Sequence, residues 1–563
     1  AFGMDRMAHG ALSRRRFLGG SLAAGALAAL SACTSGGQAE QGSAAVAEQP
    51  LTIGFSRPAS IDPALATDTS SLTVVWQLFD CLTSYDFSTG ELSCLAAERY
   101  EVSDDAQTFT FHLRDATFHD GSRVTSEDFK RAWERIVSPS SAPSQLAGAT
   151  PYAYLLSLID GYDALHIGSA TEFAGVTCPD SATLSIRLST PYADLPYLLA
   201  HPVLGPVPSS ADDDLPSFSQ RPIGNGPFMM ADTWKSGSGT LSLSRYDDYY
   251  GEVASLDRVL FDVEPDTESS FRSFQTGDID VSPCPIGDAS DAASSLGRSE
   301  DGRTLGDDGR FVCVTGLTTS MLACNCSAAP LDDPVVRRAI SLAIDRDYLC
   351  DTLYRETRVP AHGAVPPTVF GYREESWAYA AFEPSSAAEL LESSYPLNDD
   401  DDRGIEVRLS YNTDGGHAEV MQKISDDLAD LGITCRLEAL DAETLQQRIE
   451  DGDFDLVRVD WTADAPTLDS VLFPLFFSGC IGSTNYARYQ NAHVDQQLAQ
   501  ARAELDEGTR VSLLQGADSI IGSECPVVPL MYHARSYAAS ERVAHLAIDT
   551  QGRLDLASAE LAE

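Results

Sequence analysis

The sequence predicts a mixed α/β protein of several domains, and three observations carry that expectation. At 563 residues, 43% hydrophobic and 8% aromatic, the chain is long enough for roughly three to four domains with their own cores. From Leu51 onward short strand patterns alternate with amphipathic helical ones, the mark of a mixed α/β chain. No internal repeat of solenoid length interrupts that alternation.

The elements follow in order. Leu51–Phe55 and Thr108–Leu113 read as strands, and Ser126–Val137 as a helix N-capped near Thr125. Helical periodicity returns at Val335–Ala343, Ala418–Leu431 and Asp495–Leu505, whereas Glu406–Tyr411 and Asp455–Val459 alternate as strands do. The acidic run Asp399–Asp402, between Pro396 and Gly404, reads as an exposed loop. It lacks the alternate ligand spacing and distal Glu of a calcium loop.

The formal net charge is -46, and Lys130, Lys235 and Lys423 are the only lysines. Such a surface repels phosphate backbones, which excludes a nucleic-acid partner. It also disfavours electrostatic docking on anionic lipid, so membrane attachment needs another device. The N-terminal residues supply one. Arg14, Arg15 and Arg16 precede an apolar run from Leu18 to Leu30 that is too short for a stable membrane span. This pattern predicts a twin-arginine-type export signal over residues 1–32. The run ends in Leu30-Ser31-Ala32-Cys33, which resembles a lipobox and predicts cleavage before Cys33 with diacylglycerol on its thiol. Residues 33–50, rich in Ser, Gly, Ala and Gln, then read as a lipidated tether.

Eleven cysteines remain beyond Cys33, an odd set in a compartment where disulfides persist. Cys81 and Cys94 flank the turn-like Asp86–Gly90, so a hairpin could bring them together. The sequence has no C-x-x-C pair, and Cys324-Asn325-Cys326 has no histidine nearby to complete a zinc site. No metal and no cofactor is expected.

Several ordered strings make a family resemblance visible: Leu95–Asp105, Thr108–Arg114, Phe118–Gly121 and Val124–Phe129 follow in close succession. Ile61-Asp62-Pro63, Pro222–Phe228, Gly277–Asp280, Val336–Ile340 with Ile344–Arg346, and Pro526–Leu530 extend the series. Each string is weak alone, but in this shared order the chain beyond the tether resembles the oligopeptide/dipeptide family of extracytoplasmic solute-binding proteins. The resemblance implies a two-lobed periplasmic-binding-protein-like fold with a hinge and an extra domain inserted in lobe one. Projected here, lobe one takes 51–79, 209–312 and 535–563, the extra domain 80–208, and lobe two 313–534. Two crossing strands near residues 312 and 534 would form the hinge.

A receptor for many peptides must bind what all share: backbone, amine and carboxylate. Arg458–Asp464 is similar to the family's peptide-reading stretch, which implies that Asp464 pairs with the ligand's ammonium. Arg458 and His417 match positions that meet the carboxylate end, chemistry that guanidinium and imidazole suit. Trp461 would wall a side-chain pocket, and Asn412, Thr69 and Tyr152 complete the implied ligand-binding set. Two departures stand out: Asp460 replaces a glycine-like residue, and Ala442 an aromatic one that packs on ligand side chains.

The resemblance therefore implies the substrate-binding component of an ABC importer, a monomer held at the outer face of the cytoplasmic membrane. It would deliver oligopeptides to permease subunits. Relatives that bind nickel complexes, haem, sugars or opines keep those ligands open as alternatives. A secreted hydrolase is the rival class, but neither G-x-S-x-G nor H-E-x-x-H occurs. No enzymatic activity is expected.

Overall fold

Two long antiparallel strands, Phe311–Cys324 and Val527–Ala539, run through the middle of an eleven-stranded sheet in the computed structural model, which describes residues 49–562 apart from Glu356. The predicted signal, tether and Cys33 lie outside the described residues, save for the tether's last two. Among the described residues no helix is long and apolar enough to cross a membrane.

On one side the sheet continues from Val527–Ala539 through Val281–Pro283, Leu51–Ser56, Arg258–Glu264, Thr240–Arg245 and Phe228–Met230. On the other it continues from Phe311–Cys324 through Leu456–Thr462, Ile405–Asn412 and Ile433–Leu440. Each side holds a parallel pair, Leu51–Ser56 with Arg258–Glu264 and Ile405–Asn412 with Ile433–Leu440. The long strands keep register from Phe311↔Ala538 to Thr315↔Ala534 and resume at Thr319↔Tyr532, so Gly316, Leu317 and Thr318 face His533 alone. The buried cores part at this irregularity. One draws Val314 and Tyr537 together with residues from 51 to 305 and from 539 to 559; two others take Leu317, Met321 and Met531 with residues from 317 to 531.

A four-stranded antiparallel sheet stands apart, in the order Ala97–Val102, Thr108–Leu113, Thr183–Arg187, Val176–Asp180. Helix Ser126–Val137 buries Phe129 and Trp133 in the same core. The N-cap that the sequence predicts near Thr125 is present, and the structure adds Asp128, which completes a capping box with it. The helix expected over Asp495–Leu505 runs instead over Ala492–Ala503, because the Asn491 side chain accepts from the backbone of His493 and Val494 and fixes an earlier start.

The Cys81–Cys94 pairing that a hairpin could have allowed does not form. The hairpin does form, but its register sets Cys94 against Thr83, while Ala96 donates to the Cys81 carbonyl. The buried Cys81 thiol instead donates to the His201 carbonyl at 3.1 Å, and every described cysteine is a free thiol.

Much of the family-like sequence does structural work. Gly224 packs on the end of helix Thr69–Leu78, where an added Cβ would lie 1.8 Å from the Leu78 carbonyl oxygen. Asp62 is fully buried and takes Arg135 at 3.0 and 3.3 Å, with the guanidinium also bonded to Asp212 and lying over Phe218. Removing one member of such a buried pair strands the other charge. Asp62→Ala is therefore expected to cost about 3–5 kcal/mol in urea unfolding, and a loss under about 1 kcal/mol would refute that account.

Candidate functional site

Ligands of open α/β sheets gather beyond the carboxyl ends of parallel strands. Strands Ile405–Asn412 and Leu456–Thr462 run parallel, so Asn412 and Asp464 both belong to that edge. The Ala463 N–H donates to the Leu317 carbonyl at 3.0 Å, fastening this turn to the irregularity in the long strands. Half-buried Asp464 accepts from the Tyr154 hydroxyl at 2.7 Å, a contact that joins residues 310 apart in sequence. The Tyr152 ring lies 6.1 Å from that of Tyr154 and 4.8 Å from that of His201. Asp68 caps the helix that Thr69 begins, accepting from Ser71. The charges of Asp464 and Asp68 both act on Tyr152, so Asp464, Tyr152 and the start of the Thr69 helix share one neighbourhood. Burial pushes the Asp464 carboxyl up to about 6, against the pull of the Tyr154 hydroxyl. Burial and then Asp464 push Tyr152 up to about 12.

Arg458 occupies a second neighbourhood. Its guanidinium is bonded to both oxygens of Asp460, at 2.8 and 2.7 Å, two residues along the same strand face. Asp460 also accepts from Ser320 and lies 3.7 Å from His533. Burial opposes ionisation of Asp460 but is outweighed by Arg458, with His533 and Ser320 adding, so its carboxyl stays well below the usual range. His417 precedes helix Ala418–Asp430 and folds its ring over Gly415. Burial, then Arg458, lowers it to about 4. Arg458 and His417 are thus brought together, but the sequence reading misses Asp460 as the occupant of the arginine.

Other expected site residues are placed differently. Trp461 sits on the opposite face of its strand from Arg458 and packs on the core that holds Val457 and Val459. Its indole N–H donates to the Ser470 carbonyl at 2.9 Å, and its ring meets Tyr486 edge-on. Asn412 turns back to donate to the Asp414 carbonyl at 2.7 Å. Ala442 opens helix Ala442–Asp451, which Asp441 caps. Sequence reasoning also misses Tyr154, although it stands two residues from Tyr152.

The same regions meet again in a buried ion pair. Asp194 and Arg510 approach to 2.8 Å, with Ala193 N–H bonded to the Arg502 carbonyl and Tyr197 reaching Gly90 and Glu507. Phe370 packs against Tyr85 and Tyr197 there.

Two sheet halves sharing crossing strands, with loops converging at their carboxyl ends, define the periplasmic-binding-protein fold. The model of the bacterial extracellular solute-binding proteins, family 5, matches residues 91–483, and the chain belongs to that family. Oligopeptide-binding protein OppA of Bacillus subtilis is 26% identical over 533 residues, covering 91% of this chain and 93% of the relative. Heme-binding protein A of Haemophilus influenzae is 24% identical, covering 86% of this chain and 87% of the relative. Among solved structures, the periplasmic murein tripeptide-binding protein MppA in its unliganded open form is similar in fold. Its TM-score is 0.77 at 24% identity, with 88% of this chain and 94% of that one covered.

Among the described residues Asp464 makes no ion pair, so its charge is partly buried without compensation. Because its pKa in the fold lies above the ordinary carboxylate value, the ionised group destabilises the fold above about pH 6, and the deficit shrinks as pH falls toward 4. Asp464→Asn, which keeps an acceptor for Tyr154, is expected to stabilise the ligand-free protein by about 1–3 kcal/mol at pH 7.5. Thermal melts across pH test this, and a gain that does not fade in acid would contradict it.

Proposed function

We propose that the protein is the substrate-binding component of an ABC importer, capturing oligopeptides between its lobes and delivering them to membrane permease subunits. In this reading lobe one comprises 51–79, 209–312 and 535–563, the extra domain 80–208 and lobe two 313–534. The irregularity opposite His533 serves as the hinge. The observation that carries the reading is Asp464: a half-buried, uncompensated carboxylate that accepts only a tyrosine hydroxyl. A peptide ammonium supplies the missing cation through a charge-assisted hydrogen bond. Tyr152 and the Thr69 helix then line the amine end, and His417 stands toward the carboxyl end as a neutral donor. The protein acts by binding and performs no hydrolysis. It is held at the outer face of the cytoplasmic membrane through lipid on Cys33 after twin-arginine-type export.

The test is a double cycle by calorimetry. The ligand is the tightest-binding member of a di- to pentapeptide library, used with a free or acetylated amine. Asp464→Asn should weaken binding by about 3–5 kcal/mol, more than a hundredfold. Acetylation should cost a similar amount, and the two together much less than their sum. Full additivity would remove Asp464 from the amine site.

Affinity should also depend on pH in a defined direction. Binding stabilises the ionised carboxylate, so affinity is full above about pH 6 and declines as Asp464 protonates below it. Calorimetric affinities between pH 4.5 and 8 check this. Affinity unchanged across that range would place the ammonium elsewhere.

A further inference from the structure

Four neighbouring strands present a row of polar side chains beside the irregularity in the long strands. Arg358 lies opposite His533 in register, Ser320 bonds His533 at 2.8 Å, and Asp460 lies opposite Ser320. Arg458 closes the row by pairing with Asp460. Arg535 lies two residues beyond His533 on the same strand face and is exposed. The charges of Asp460, Arg535 and Arg458 all act on Arg358, and burial disfavours the charged form of both His417 and His533. Three guanidiniums therefore face one carboxylate, in a chain whose net charge is -46.

The single carboxylate is already engaged. Both oxygens of Asp460 take the Nη2 of Arg458, so the charge of that guanidinium already has its counter-charge. Arg358 is different. Half-buried on the short strand Arg358–Pro360, among the described residues it donates only to its neighbour's carbonyl, Thr357, at 2.7 Å and lies 5.1 Å from the centre of the Tyr354 ring. Among the described residues it makes no ion pair. Contact with an aromatic face orients a guanidinium, and with Nη1 on Thr357 the Nε and Nη2 edge is left to meet an anion.

Resting on the peptide reading above, we propose that Arg358 receives the carboxylate of the bound peptide, while Asp460 holds Arg458 out of that role. Arg535 adds attraction from the solvent side, and neutral His533 and His417 donate or accept without adding charge. The glycine-to-aspartate departure at residue 460 thereby moves the anion-binding function from the strand Leu456–Thr462 to the short strand that carries Arg358.

The experiment offers an equimolar library of di- to pentapeptides, as free acids and as C-terminal amides, and reads the retained acid-to-amide ratio by mass spectrometry. The native protein should favour acids by about tenfold to a hundredfold, the effect of a hydrogen bond to a charged group. Arg358→Gln should bring the ratio near one, and Arg358→Lys should restore part of it, which loss of fold would not do. An Arg458→Gln/Asp460→Asn double variant, which removes the internal pair without changing net charge, should keep the preference. A ratio near one in the native protein overturns the proposal and leaves the peptide reading standing. Loss of the preference in the double variant, with retention in Arg358→Gln, returns the role to Arg458. Capture of no peptide in either form would sink the peptide reading itself.

Discussion

The long strands Phe311–Cys324 and Val527–Ala539 are hydrogen-bonded to each other at both ends but not across Gly316, Leu317 and Thr318. A sheet ladder leaves no backbone group unpaired where it is regular, so such a gap must pass its donors and acceptors to other partners. Here the Gly316 carbonyl takes the Thr368 hydroxyl at 2.8 Å, and the Leu317 carbonyl takes the Ala463 N–H at 3.0 Å. The loop bearing Asp464 is therefore anchored to the irregularity itself. On the facing strand the unmatched residue is His533, around which Ser320, Asp460 and Arg358 assemble. Both charged neighbourhoods hang on one local departure from regular pairing, at the place where the buried cores divide.

Electrostatics gives the two neighbourhoods opposite character. Asp464 is a carboxylate whose ionisation burial disfavours, with only a phenol beside it. The Arg358 cluster is cationic within an acidic chain. Charges taken out of water without a partner are costly, and a ligand that brings the partner recovers that cost as affinity. A zwitterionic ligand with separated ends satisfies both places at once, whereas an apolar ligand satisfies neither.

The strings that make the family visible in sequence are mostly those that hold the backbone together. Arg337 donates to the carbonyls of Leu331, Glu524 and Cys525, and Arg346 to those of Ser341 and Pro529. Arg337 ties the helix Pro334–Ala343 to the turn that precedes the strand Val527–Ala539, and Arg346 ties the residues after that helix to the strand itself. Asn225 exchanges two hydrogen bonds with the backbone of Asp80. Asp280 accepts from Thr52 and Arg542 and so locks the edge of the first parallel pair. The bonds of these residues hold the fold together, and they say little about what the cleft holds.

By itself the sequence determined the alternation of strands and helices, the helix start near Thr125, and the ordered strings that mark the fold. Each of these depends on residues near one another in the chain, where spacing and side-chain type carry the physics. It also singled out Asp464, Arg458, His417 and Tyr152 as neighbours of a site. Only the tertiary structure decided which of them stand free. Asp460 pairs with Arg458 because strand pleating puts both on one face, while Val459 between them and Trp461 beyond them point to the core. Tyr154 reaches Asp464 from 310 residues away, and Arg358 joins the row because its strand pairs with the residue opposite the irregularity. Contacts between such distant segments leave no periodicity or spacing in the chain, so the partners of a buried charge become visible only once the strands are laid side by side.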